Sequence, residues 1–196
     1  MVLHWRPCMG SGRSVPIYSS GGGVFCFYED LHFYHYLGVI KMIFSKDLIH
    51  WTKPVVITHE PDCHFSYPFV FEDNGQVYMM PETGDQHNIR LYKADNDELT
   101  SFSLYRIIMK RDEIPSDMVY DFADSCIHKK DGKYYLFTSI KTVEQYYLYL
   151  YMADNLEGPY TEHPCSPIVT GDSCDRPGRH LSIATIRVHS CNSWAI

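Results

Sequence analysis

Asp73-Asn74-Gly75-Gln76-Val77-Tyr78-Met79-Met80-Pro81-Glu82 reads as a tight turn followed by an aromatic strand. Asn-Gly supplies the positive φ angles that a two-residue hairpin requires. The same pattern occurs in Gly22-Gly23-Val24-Phe25-Cys26-Phe27-Tyr28-Glu29 and in Lys130-Asp131-Gly132-Lys133-Tyr134-Tyr135-Leu136-Phe137. The first glycines, 22, 75 and 132, lie 53 and 57 residues apart. A second repeat follows each hairpin. Ile40-Lys41-Met42-Ile43-Phe44-Ser45 leads to Lys46-Asp47-Leu48, Ile89 to Ala94 leads to Asp95-Asn96-Asp97, and Leu148 to Ala153 leads to Asp154-Asn155-Leu156. An aromatic-bearing fourth segment comes next: Trp51 to Ile57, Phe102 to Met109, and Tyr160 to Val169. Tyr147, Tyr149 and Tyr151 alternate with Leu148, Leu150 and Met152, the period of a strand with two distinct faces.

Four strands per unit, repeating about every 50–60 residues, is the arithmetic of a β-propeller blade. No window carries a helical period, so a helical solenoid is excluded and the alternative is an irregular β-sandwich. The expected fold is all-β, a propeller of four-stranded antiparallel sheets with about three to four blades present. Residues 21–178 carry the repeats, and the ends 1–20 and 179–196 are atypical. A five-bladed ring needs on the order of 250–300 residues at this repeat length. The 196 residues are therefore expected to be one incomplete propeller domain.

Composition agrees. Hydrophobic residues reach 45% and charged residues 21%, enough apolar material for a packed core. Aromatic residues reach 15%, which suits pleated sheets and also supplies flat faces for sugar rings. No stretch approaches the roughly 20 apolar residues of a membrane span, and the first residues show no apolar run of a signal peptide. A net charge of −7 argues against nucleic acid or an anionic membrane as partner. Seven cysteines, Cys8, Cys26, Cys63, Cys126, Cys165, Cys174 and Cys191, form no Cys-x-x-Cys pair. Cys26 and Cys126 fall in strand-like runs and read as small buried hydrophobes. His59, Cys63 and His64 fit no zinc spacing, and neither a phosphate loop, a nucleophile elbow nor an Asn-x-Ser/Thr acceptor is present. No cofactor and no metal are expected. Asp95-Asn96-Asp97 has the form of a metal-binding Asp-x-Asp, but its place after a strand repeat makes it a turn.

Asp121-Phe122-Ala123-Asp124-Ser125-Cys126-Ile127-His128, ending at the Gly132 turn, resembles the Asp-containing inner strand of the five-bladed glycoside hydrolase family 43 propellers. The run from His64 to Thr83, followed by Ile89-Arg90-Leu91-Tyr92, is similar to a narrower group. That group is the N-terminal propeller domain of the plant glucosamine inositolphosphorylceramide transferases and its bacterial and protist relatives. Tyr160-Thr161-Glu162-His163-Pro164 and Asp175-Arg176-Pro177-Gly178 continue the likeness, which covers roughly residues 22–178. The resemblance implies an accessory propeller joined, in the plant proteins, to a separate transferase domain in the Golgi. No such domain is read in these residues, so a missing transferase domain is an expected partner.

Family 43 chemistry rests on two carboxyl groups flanking the scissile bond, one protonated and one ionised. Asp124 stands eight residues before its turn glycine, at the inner-strand position. The matching place in the preceding blade is Tyr67, which cannot serve as a carboxylate base, and in the first blade it is Ser14. Glu29 and Glu82 end their second strands, each seven residues after Gly22 and Gly75. Asp124 and Glu82 are the catalytic candidates, as ionised carboxylate and acid. His64, Ser66 and Tyr67 mix imidazole, hydroxyl and aromatic ring, as a sugar site requires. With Glu29 and Arg176 they are the candidate binding residues. The favoured reading is a carbohydrate- or glycolipid-headgroup-recognising module. An inverting glycosidase and a purely structural interaction propeller are the alternatives.

Overall fold

The computed structural model describes residues 14–19, 21–32, 37–58, 60–84, 86–114, 121–142 and 145–170. The described residues form antiparallel sheets and no α-helix. The first sheet has the order β1-β2-β3-β4, from β1 (Ser14–Tyr18), β2 (Val24–His32), β3 (Leu37–Ser45) and β4 (Val55–Val56). The second has the order β5-β6-β7-β8, from β5 (Ser66–Asp73), β6 (Gln76–Glu82), β7 (Asn88–Ala94) and β8 (Phe102–Lys110). The third places β9 (Asp121–Lys130), β10 (Lys133–Lys141) and β11 (Tyr146–Ala153) side by side, with β12 (Thr161–Glu162) and β13 (Val169–Thr170) both on β11. Three meandering sheets of this kind are β-propeller blades, and among the described residues no helix is long and apolar enough to cross a membrane.

The turns form as their residues dictate. Asn74 and Gly75 have φ of 51° and 76°, and Asp131 and Gly132 have 51° and 79°, the left-handed pair that matches strand twist in a two-residue hairpin. The first sheet begins earlier than the repeats suggest. Ser14–Tyr18 lies inside the atypical N-terminal stretch, yet it pairs residue for residue with Val24–Tyr28.

The fourth strands are shorter than the aromatic segments that mark them. Of the Trp51–Ile57 segment, Val55 and Val56 form the ladder with β3, while Thr52 and Ile57 each add one N–H bond to it, to Phe44 and Ile40 C=O. The Tyr160–Val169 segment is split where Pro164 and Pro167 cannot donate to a ladder. Between the two pieces the Ser166 hydroxyl takes over, accepting from Leu150 N–H at 2.9 Å and donating to Leu150 C=O at 2.7 Å. Asp95-Asn96-Asp97 is a turn: Ser101 donates to Asp95 and holds its carboxyl below the usual range, while Asn96 caps Thr100.

The chain forms two compact units, described separately. One comprises the described residues up to Thr83 with Tyr92–Tyr105, and the other comprises Gly84–Leu91 with the described residues from Arg106. The first has a core of Phe27, Ile40, Met42, Phe65, Met79 and Phe102. Phe27 meets Phe102 edge to face at 5.9 Å, and Phe65 meets Tyr92 at 6.1 Å. The second packs Phe122, Leu136, Phe137, Ile140 and Leu150. Cys26, Cys63 and Cys126 are buried, and Cys165 is disulfide-bonded.

Truncating Phe27 removes a fully buried ring from the first unit. Phe27→Ala is expected to cost about 3–5 kcal/mol in urea unfolding, and a loss below about 1 kcal/mol would contradict that core assignment.

Candidate functional site

Strands β5 and β9 share one irregularity. Pairing slips between Ser66 and Phe69 opposite β6, and between Phe137 and Ser139 opposite β9, so each inner strand carries an extra residue. Tyr67 and Asp124 occupy these bulges, with φ of 43° and 49°. A left-handed tyrosine ahead of a proline and a left-handed aspartate each cost about 1–3 kcal/mol, and such strain collects at functional positions. The two residues are also the ones that stand eight before their turn glycines. A count along the sequence therefore lands on the same structural position in both sheets.

In the first unit the structure brings several candidates together. Gly38 of β3 lies against the segment that enters β5: its N–H donates to His64 Nδ1 at 2.9 Å, and its C=O accepts from Phe65 N–H at 2.9 Å. Because Nδ1 accepts, the neutral ring carries its proton on Nε2. That nitrogen faces Glu29 Oε1 at 3.6 Å. Ser66 stands directly opposite Glu82 in the β5–β6 register, next to the Tyr67 bulge. Glu29, His64, Tyr67 and Glu82 are half-buried and Ser66 is buried. The group offers carboxylate acceptors, an imidazole N–H, a hydroxyl and an aromatic ring. Those are the groups that hydrogen-bond sugar hydroxyls and stack on a pyranose face. Nearby, Tyr92 donates its hydroxyl to Glu60 at 2.8 Å, which ties the loop before β5 to β7.

Asp124 belongs to the second unit, 1% exposed. The Ser125 and Thr138 hydroxyls lie 2.7 Å apart beside it. Burial first, and the Asp124 charge second, push the Cys126 thiol up to about 12, which keeps it protonated and inert. Asp121 opens β9 with His87 Nδ1 3.8 Å away. The same unit holds a buried guanidinium: Arg90 donates from Nε to Asn88 and from Nη2 to Gln86, both at 2.9 Å. Arg176 lies outside the described residues, as does His59. Among the described residues no cluster of His, Cys, Asp and Glu is arranged to hold a metal.

Gly38 and the Gln86–Asn88 run, which meets the Arg90 guanidinium, escape the reading of repeats. A lone glycine inside the strand Leu37–Ser45 is the signal for the first, because strand glycines mark close backbone approach. A polar run Gln86-His87-Asn88 against the apolar Ile89 is the signal for the second.

Comparison with known proteins accords with this geometry. The family model for the N-terminal region of glucosamine inositolphosphorylceramide transferase 1 matches residues 14–180. Glucosamine inositolphosphorylceramide transferase 1 of Arabidopsis thaliana is 29% identical over 159 residues, which cover 79% of this chain and 20% of that protein. Its counterpart in Oryza sativa subsp. japonica is 28% identical over 160 residues, 80% of this chain and 20% of the relative. The chain thus spans about a fifth of the length of the curated relatives it matches. A xylan β-1,4-xylosidase from Bacillus halodurans C-125 superposes with a TM-score of 0.61 at 20% identity, over 84% of this chain and 33% of that one. A thermostable family-43 glycoside hydrolase gives 0.61 at 15% identity, over 81% and 55%. These enzymes share the propeller fold. The chain belongs to the family of glucosamine inositolphosphorylceramide transferase N-terminal domains.

A Cβ on Gly38 would stand 2.5 Å from Phe65 O and 3.2 Å from Glu29 Oε1. Gly38→Ala is therefore expected to destabilise the protein by about 2 kcal/mol or more. Chemical denaturation reads this, and an unchanged midpoint would show that the close approach is not tight.

Proposed function

We propose that this chain is a carbohydrate-recognising propeller module, accessory to a glycosyltransferase that works on a glycolipid headgroup. The observation that carries this reading is the strained Tyr67 at an inner-strand bulge, set beside Ser66 and Glu82 and near the Glu29–His64 pair. Family membership supplies the direction, since the relatives are named for transferring glucosamine to an inositolphosphorylceramide. The bond-making step belongs, in this reading, to a transferase domain of the kind those longer relatives leave room for. The module's own contribution is to hold the sugar. Glu29 and Glu82 accept hydrogen bonds from hydroxyl or amine, His64 Nε2–H donates one, and the Tyr67 ring gives a stacking face.

The hydrolase alternative draws on Asp124, which holds the equivalent bulge in the second unit with a buried carboxyl. Its weakness is the phenol at position 67, where a second inner-strand carboxylate would be wanted.

Titration with glucosamine, glucuronic acid, mannose and short oligosaccharides should change the intrinsic fluorescence of the protein. Tyr67→Ala and His64→Ala should each weaken the response at least ~10-fold, as expected when a stacking ring or a buried hydrogen bond is lost. Removing the left-handed tyrosine should leave the unfolding midpoint almost unchanged, which separates a binding role from a structural one. Silence across the whole panel would refute sugar recognition. Aryl-glycoside turnover that disappears in Asp124→Asn and Glu82→Gln would replace recognition with hydrolysis.

A further inference from the structure

Each sheet has a short turn after its third strand, and the three turns can be compared position by position. Counting from the last strand residues Ser45, Ala94 and Ala153, the first turn position holds Lys46, Asp95 and Asp154. The fourth holds Ile49, Glu98 and Glu157. Two turns carry acids where the first carries a base and a branched aliphatic. Exposure follows the same divide. Leu99 and Leu156 are buried in the later turns, whereas Leu48 is 52% and Ile49 76% exposed in the first.

The first turn is stiffly built. Asp47 Oδ1 accepts the N–H groups of Ile49 and His50, both at 2.8 Å, and Asp47 Oδ2 meets His50 Nδ1 at 2.8 Å. The Ser45 hydroxyl accepts from Leu48 N–H at 2.9 Å, and Leu48 is held at a φ of 62°. Thr52 is anchored to Phe44 from the far side, its N–H donating to Phe44 C=O at 2.9 Å. Two aliphatic side chains are thus presented to solvent on a fixed loop, at a backbone cost that packing inside the protein does not repay.

The sheet register adds an aromatic residue to the same end. Tyr18 pairs with Val24, and Val24 pairs with Ser45, so Tyr18, 79% exposed, shares the rim from which the turn projects. Trp51 is half-buried behind the turn, and Lys46 and Lys53 are exposed on its two sides. The one acid of the segment, Asp47, is engaged by His50 and by backbone N–H groups. A chain of net charge −7 therefore has here a basic, apolar and aromatic rim.

We propose that this rim docks on the headgroup layer of a membrane containing anionic lipid. Leu48 and Ile49 enter the acyl boundary, Tyr18 and Trp51 lie at the interface, and Lys46 and Lys53 pair with the headgroups. Net charge disfavours an anionic surface for the protein as a whole, but screening limits that repulsion to roughly 8–10 Å, so the local charges govern contact. This contact does not depend on sugar binding, which resides on other residues.

Vesicle flotation of the full chain tests it. The protein is expected to float with phosphatidylcholine–phosphatidylserine vesicles and much less with phosphatidylcholine alone. Ile49→Glu and Lys46→Asp install the residues that the other two turns already carry, so the fold should persist, with circular dichroism as the check. Ile49→Glu should lower the bound fraction at least ~10-fold, and Lys46→Asp by roughly fivefold, an effect erased by added salt. If either variant fails to fold, a blue shift of tryptophan emission when the wild type meets anionic vesicles is the second reading. Absence of flotation with both vesicle types, or flotation indifferent to both variants, would overturn the proposal. A dimer in size-exclusion chromatography that Ile49→Glu splits would assign the rim to a second copy of the chain and also overturn it.

Discussion

The first unit hangs on the contact between Gly38 and residues 64–65. One residue of β3, Gly38, donates its N–H to an imidazole and accepts at its C=O from a backbone N–H, so two sheets are joined by hydrogen bonds as well as by apolar packing. Such closeness is possible only without a Cβ, because any side chain at position 38 would meet the Phe65 carbonyl oxygen. The same contact sets the tautomer of His64 and turns its proton-bearing nitrogen toward Glu29. Fold and candidate site are therefore coupled at one residue. The buried Phe65 follows directly in the chain and commits the segment to the core, which leaves Ser66 and Tyr67 to begin the inner strand.

Strain is distributed in a way that suits this arrangement. The hairpin turns place positive φ on Asn74 and Asp131, residue types that tolerate it well. The inner-strand bulges place it on Asp124 and on Tyr67, and for the tyrosine the cost is greater and the surrounding pairing must enforce it. Bulges re-aim side chains out of the simple alternation of a strand. In β9 the result is a run, Phe122 to Ile127, in which every residue is buried. Cys126, two residues on in this buried run, has its thiol pushed up first by that burial and second by the Asp124 carboxylate.

Much of this was legible in the residues. Asn-Gly and Asp-Gly marked the hairpins, because their conformational preference is local. The alternating Tyr147 to Met152 marked β11, because one face of that strand differs chemically from the other. Equal offsets from turn glycines found Tyr67 and Asp124, since a hairpin transmits register across its two strands. The bulges themselves were not visible, for an extra residue changes pairing without changing composition. Nor were the limits of the outer strands: Trp51 is aromatic and strand-like, yet pairing resumes only at Val55 because the turn held by Asp47 and Thr52 occupies the intervening residues. Gly38 was passed over because its meaning lies in a contact 26 residues away. Short-range preferences survive translation from sequence to structure, and long-range approach does not.

The Ser166 hydroxyl, standing in for a peptide group against Leu150, has a practical corollary. A blade whose outermost position is supplied in pieces does not require a continuous strand of fixed length there. Loops can lengthen or shorten on that margin, and prolines can accumulate, while β9 to β11 keep their register. An insertion placed on that margin would leave the ladder of β9, β10 and β11 as it stands, which makes this edge the natural place to attach a tag or a second domain.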